Sequence, residues 1–165
     1  MTAQRRDSIR PKAGAALVLG LCALIAPFSP AASMTERVVV DRYTGLAIGG
    51  IDPVSYFTDA LAVRGLPEFE AVSNGAIWRF ARESNRAFFL ANPDVYEPRF
   101  GGYDPVGVAS GKPVAGLAQI WMIHGDRLYL FGREENRDAF AADPALYLRD
   151  ADRGWVKLSE TLARD

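Results

Sequence analysis

The chain has 165 residues, 49% of them hydrophobic, 11% aromatic and 24% charged, with a formal net charge of −1. This balance excludes a disordered tail, a collagen-like fibre, a disulfide-stapled miniprotein and a multi-pass membrane protein. One export segment and one compact unit with a sizeable core use up the length.

The N-terminus opens on Arg5, Arg6, Arg10 and Lys12, with Asp7 as the one acid among them. An apolar stretch from Ala13 to Ala26 follows, then Pro27, then Ser29-Pro30-Ala31-Ala32-Ser33. A basic head, a short greasy middle and small residues at the cleavage point make a secretory signal. Residues 1–31 are therefore expected to be a signal peptide, which places the mature chain in the periplasm or outside the cell. The apolar middle falls short of the ~20 residues of a bilayer span, so membrane attachment is expected only through an uncleaved signal segment.

Removing residues 1–31 takes away four basic groups and one acid and moves the net charge from −1 to −4. No basic stripe is left for a phosphate backbone, so nucleic acid is not an expected partner. Cys22, the only cysteine, leaves with the signal. The mature chain can then form no disulfide and no thiolate metal site.

A duplication organises the rest. Gly49-Gly50-Ile51-Asp52-Pro53-Val54 returns as Gly101-Gly102-Tyr103-Asp104-Pro105-Val106. Arg82-Glu83-Ser84-Asn85-Arg86 returns 51 positions later as Arg133-Glu134-Glu135-Asn136-Arg137, and eight of the fifteen positions from 82 to 96 are identical at that offset. Such agreement is not chance. The expected organisation is a lead-in over 32–48, a first repeat over 49–100, and a second repeat with a C-terminal extension over 101–165.

Within the repeat, Glu68-Phe69-Glu70-Ala71-Val72 alternates polar and apolar residues, the period of a half-buried strand. Ser73-Asn74-Gly75 is turn chemistry, and Ile77, Trp78 and Phe80 supply the return strand. The second copy repeats this with Ile120-Trp121-Met122-Ile123, a turn at His124-Gly125-Asp126, and Leu128-Tyr129-Leu130-Phe131. Glu83 and Glu134 suit the positive end of a helix, which Pro93 and Pro144 should stop about ten residues on. Each unit thus reads as ββα. One unit is too small to bury its own apolar face, so the expected fold is α+β, with two tandem ββα units packed into one pseudo-twofold compact domain.

The duplicated unit resembles the YHS domain, a small module related to the TRASH-type metal-binding domains, in the tandem form of exported bacterial proteins. The family's D-P-V-C-G-M opening has its start in Asp52-Pro53-Val54 and in Asp104-Pro105-Val106. Its later F-C-S-x-x-C-x-x-x-F-x-x-x-P-x-x-Y is echoed by Phe80, Phe89, Pro93 and Tyr96, and by Phe131, Phe140, Pro144 and Tyr147. At the family's cysteine positions this chain has Ser55, Ala81 and Asn85 in one copy and Gly107, Gly132 and Asn136 in the other. Alanine and glycine offer no ligand, and neutral amide or hydroxyl oxygens suit soft metals poorly. The resemblance therefore implies the scaffold without the metal chemistry.

Three groups of residues remain as candidates. Met122 and His124 form Met-x-His, which on a strand puts a thioether and an imidazole on one side, a pair suited to copper. A hairpin-end histidine beside a core methionine is the plainer reading. Asp52 and Asp104 hold equivalent places and would either approach each other as an acid–base pair or open turns and accept backbone hydrogen bonds. Tyr56, Tyr103 and Trp121, within a larger aromatic set, would either line a groove for a small ligand or sit in the core.

The leading expectation is a non-catalytic, exported module that binds an envelope protein or a small ligand without a resident cofactor. The alternatives are a periplasmic copper-binding protein and an enzyme using the paired aspartates.

Overall fold

The computed structural model describes residues 37–162, which fall within one compact unit. The predicted signal over residues 1–31 lies outside the described residues. No helix among the described residues is long and apolar enough to cross a membrane.

The fold is mixed α+β, with two small antiparallel two-stranded sheets and a set of mostly short helices. After a helical turn at Ile48–Gly50 come α1 (Ser55–Thr58), β1 (Leu66–Ser73), β2 (Ala76–Phe80), α2 (Glu83–Ala91) and α3 (Pro93–Tyr96). A second helical turn at Arg99–Gly102 leads to α4 (Pro105–Ala109), β3 (Leu117–His124), β4 (Arg127–Phe131), α5 (Glu134–Ala142) and α6 (Pro144–Thr161). Both long-predicted helices begin at the expected glutamates and end before the expected prolines. The second half differs after that proline: α3 stops after four residues, whereas α6 starts at the matched Pro144 and runs for 18 residues into the C-terminal extension.

Local geometry recurs in the two halves. Asp52 N donates to Val63 O and Asp104 N to Val114 O, each at 2.8 Å. Both hairpins carry a register irregularity early in the first strand, between Leu66 and Glu70 and between Leu117 and Trp121. Gly65 and Gly116 occupy matching close approaches. A Cβ on Gly65 would lie 2.5 Å from the Arg79 backbone, and one on Gly116 would lie 2.5 Å from Leu130 Cβ, so neither site has room for a side chain.

Two apolar clusters fill the interior, and β3–β4 stands between them. Strand alternation sends Leu128 and Leu130, with Trp121 and Ile123, into the first cluster beside Trp78, Phe80 and Phe89. The opposite face sends Tyr129 and Phe131, with Ile120 and Met122, into the second cluster beside Phe140. Hairpin β1–β2 buries one face only; on the other, Glu70 pairs with Arg79 at 2.7 Å and Val72 is 75% exposed. No residue of β1 or β2 joins the second cluster. The reciprocal packing that a pseudo-twofold pair requires is therefore not found among the described residues. Instead α6 covers the second cluster with Ala151, Trp155 and Leu158. It approaches α4 closely because Gly154 has no Cβ, which would otherwise meet Val108 O at 2.4 Å.

Phe89 and Phe140 are the hubs. The Phe89 ring lies 5.2 Å from Trp78 and 5.1 Å from Phe80, and Phe140 lies 5.1 Å from Tyr129 and 5.4 Å from Phe131. Both side chains are fully buried. Replacing either by alanine is expected to cost about 3–5 kcal/mol in a urea titration, with Ala141→Gly, on the exposed face of α5, costing about 1 kcal/mol for comparison. A loss below about 1 kcal/mol at either phenylalanine would contradict this packing.

Candidate functional site

Asp52 and Asp104 are both completely buried, in the turns ahead of α1 and α4. Asp52 Oδ1 accepts from Val54 N at 2.9 Å, while Oδ2 accepts from Ala81 N at 2.8 Å and Asn85 Nδ2 at 2.7 Å. In the second half, Asp104 Oδ1 accepts from Val106 N at 2.9 Å and, more weakly, from Gly107 N at 3.4 Å. Asp104 Oδ2 accepts from Gly132 N at 2.9 Å and Asn136 Nδ2 at 2.6 Å. Each carboxylate thus joins three stretches of chain: its own turn, the residue leaving the second strand of the hairpin, and the first turn of the following helix.

The local sequence explains the arrangement. Asp-Pro opens a turn whose next free amides point back at the carboxylate. Asn85 and Asn136 sit in the first turns of α2 and α5, where a short side chain reaches the preceding strand end. Arg133 Nε donates to Asn136 Oδ1 at 2.9 Å and so orients that amide with its NH₂ toward Asp104. The first half has an added hydroxyl: Ser55 Oγ lies 2.7 Å from Asp52 O and 2.8 Å from Leu61 O, and it accepts from Val63 N at 3.2 Å. Gly107 replaces Ser55 in the second half.

Chemically, these carboxylates are occupied. Both oxygens of each accept from N–H groups of the protein, which holds the carboxylates in a fixed geometry. No hydrogen bond joins Asp52 to Asp104 among the described residues; each serves its own half. Each aspartate opens a turn and accepts an amide of that turn, Val54 N for Asp52 and Val106 N for Asp104.

The other candidates are distributed differently. Met122 faces the second cluster, and His124 lies exposed at the end of β3 with its ring edge-on to Phe140 at 6.0 Å. They share a face as expected, but Arg127 stands directly opposite His124 in the register. A guanidinium there opposes a metal cation. No group of three or more histidine, cysteine, aspartate or glutamate side chains suited to a metal ion occurs among the described residues.

Tyr56 and Trp121 meet edge-to-face at 5.1 Å in the first cluster, whereas Tyr103 lies in the second, 6.1 Å from Trp155. The three do not form one groove. Tyr56 Oη donates to Ala118 O at 2.8 Å and so links α1 to β3. Burial, with a contribution from the Asp52 charge, pushes the Tyr56 hydroxyl far above its usual range. Sequence reasoning missed the role of Asn85 and Asn136, although their recurrence behind each Asp-Pro was a visible signal. It also missed Arg99 and Arg127, which no repeat singles out.

No family model, curated protein or solved structure matches the chain at a significant level.

Two predictions follow from this geometry. Asn136→Ala should cost about 1–3 kcal/mol and Asp104→Ala at least as much, with a double-mutant coupling above about 0.5 kcal/mol; zero coupling in urea titrations would contradict the contact. Because the folded-state pKa of Tyr56 is raised, its stabilising effect is intact below the unfolded value of about 10 and is lost as pH climbs above it. The unfolding midpoint of Tyr56→Phe should therefore fall less steeply above that pH than the parent's. Ionisation of Tyr56 in the folded protein near pH 10, read as tyrosinate absorbance, would contradict the burial.

Proposed function

We propose that this chain is an exported, non-catalytic binding or accessory module of the cell envelope. In this reading it is built from two tandem ββα units of the YHS type that have exchanged metal ligation for a carboxylate–amide staple. One observation carries it: the Asp52–Asn85 and Asp104–Asn136 contacts, at 2.7 and 2.6 Å, lie among the residues that the resemblance aligns with metal-ligand positions. A metal in such a module would tie the turn, the strand end and the helix together. Here a carboxylate, a backbone amide and an asparagine amide join the same three segments.

The matched backbone contacts at Asp52 and Asp104, and at Gly65 and Gly116, support the tandem origin. Their one-sided packing favours units stacked in sequence, with α6 closing the end, over units related by a twofold axis. Catalysis by paired aspartates is disfavoured because all four carboxylate oxygens are engaged within their own halves. Copper binding through Met122 and His124 is disfavoured by Arg127 beside His124.

Dialysed mature protein titrated with copper(I) and copper(II) should show no affinity tighter than micromolar. Stoichiometric binding below that level, lost in His124→Ala, would establish the metal-handling alternative. For the export part, the mature protein isolated from its native envelope should begin close to residue 32 by intact mass. Recovery in the cytoplasm with residues 1–31 retained would refute export.

A further inference from the structure

The second half carries an unbalanced cluster of cationic side chains at the edge of its aromatic core. Arg99 leaves the connecting helical turn with its guanidinium over the Phe100 ring, 5.1 Å from the centroid, and its Nη2 donates to Asp152 Oδ1 at 2.7 Å. Arg127 opens β4 and shares the face that carries Tyr129, two residues on. Both guanidiniums act on the Tyr129 hydroxyl, as does Asp152. The Phe100 ring beneath Arg99 lies 6.4 Å from the Tyr129 ring, so Arg99, its partner Asp152 and Arg127 gather on the Tyr129 side of the core.

Their hydrogen bonding is incomplete. Arg99 Nε and Arg127 Nε are buried without a partner, and they are the only such side-chain atoms among the described residues. The Arg127 side chain has no hydrogen bond or ion pair with a described residue, and its Nε is sealed from solvent. Arg127 as a whole is only half-buried, so its side chain is not closed off from solvent. Arg99 is itself 36% exposed at the side chain, so the cluster can be reached from outside. Buried unsatisfied donors are rare in native proteins and call for an explanation, of which a bound ion is one.

We propose that Arg99, Arg127 and the Tyr129 hydroxyl form a binding site for a small oxyanion, either an inorganic one or the carboxylate of an organic acid. Forked guanidinium ends match the paired oxygens of such groups, and the phenol adds a third donor. His124, directly across from Arg127, lies at the rim. Asp152 leaves room for this role, since it neutralises only one of the two guanidiniums. The site shares no residue with the Asp–Asn staples, so it stands or falls independently of the module reading.

The test is a titration of the mature protein with inorganic phosphate and with succinate, read by calorimetry and by the rise in thermal midpoint. Saturable binding of at least one anion is expected. Arg127→Gln should weaken it about tenfold or more, Arg127→Lys should recover part of the loss, and Arg86→Gln, which removes a cation paired with Glu83, should leave it unchanged. Preference for phosphate would assign the site to a tetrahedral oxyanion, and preference for succinate to a carboxylate. Circular dichroism of each variant checks that it folds, and Arg99→Gln gives an independent arm should Arg127→Gln fail to do so. No saturable binding of either anion below about 10 mM, or equal binding by the parent and the folded arginine variants, would overturn the proposal.

Discussion

A buried carboxylate is tolerable only when its charge is met by donors, and that requirement shapes both halves of this protein. Asp52 and Asp104 lie wholly inside, and each gathers N–H groups from three separate stretches of chain. Remove the carboxylate and the Ala81 and Gly132 amides and the asparagine side chains lose a shared acceptor. The turn, the strand end and the helix start are held in register by one small group. The aromatic hubs Phe89 and Phe140, four residues beyond the asparagines, then lie one helical turn along the same face.

From that anchor the packing builds in one direction. The helix of the first half covers one side of the first cluster, and hairpin β3–β4 closes it from the other. The reverse face of the same hairpin serves the second cluster, which α6 closes in turn. The exposed face of β1–β2 has no such duty and has become polar, with the Glu70–Arg79 pair where β3–β4 has Trp121 and Leu130. Duplication alone would not produce this order. It arises because β3–β4 carries apolar residues on both faces, whereas β1–β2 packs only one of its faces into a cluster.

Much of this was legible in the sequence. The alternation around Phe69 and Trp78, the glutamates opening α2 and α5, and the prolines closing them are local signals, and local signals fix local structure. The direction of packing was not legible, because a ββα repeat is compatible with several ways of placing one copy on the other. α6 was only partly legible for a related reason: its start at Pro144 matches that of α3 at Pro93, but most of its length lies beyond Tyr147, the last matched residue, where the repeat offers no template. At the site, Asp52 and Asp104 stood out through their recurrence, but their contacts with Asn85 and Asn136 span 33 and 32 residues. A contact that distant is set by how the hairpin folds back, and no spacing rule reveals it. Arg99 and Arg127 come together through the same long-range folding and have no counterparts in the first half.

The most direct test of this account is native-state hydrogen exchange at the Ala81 and Gly132 amides. Both donate to a buried aspartate, so both should exchange only through global unfolding, at the rate of the slowest core amides in β2 and β4. Rapid exchange at these two positions, with the strands still protected, would mean that the carboxylates do not hold the three segments together.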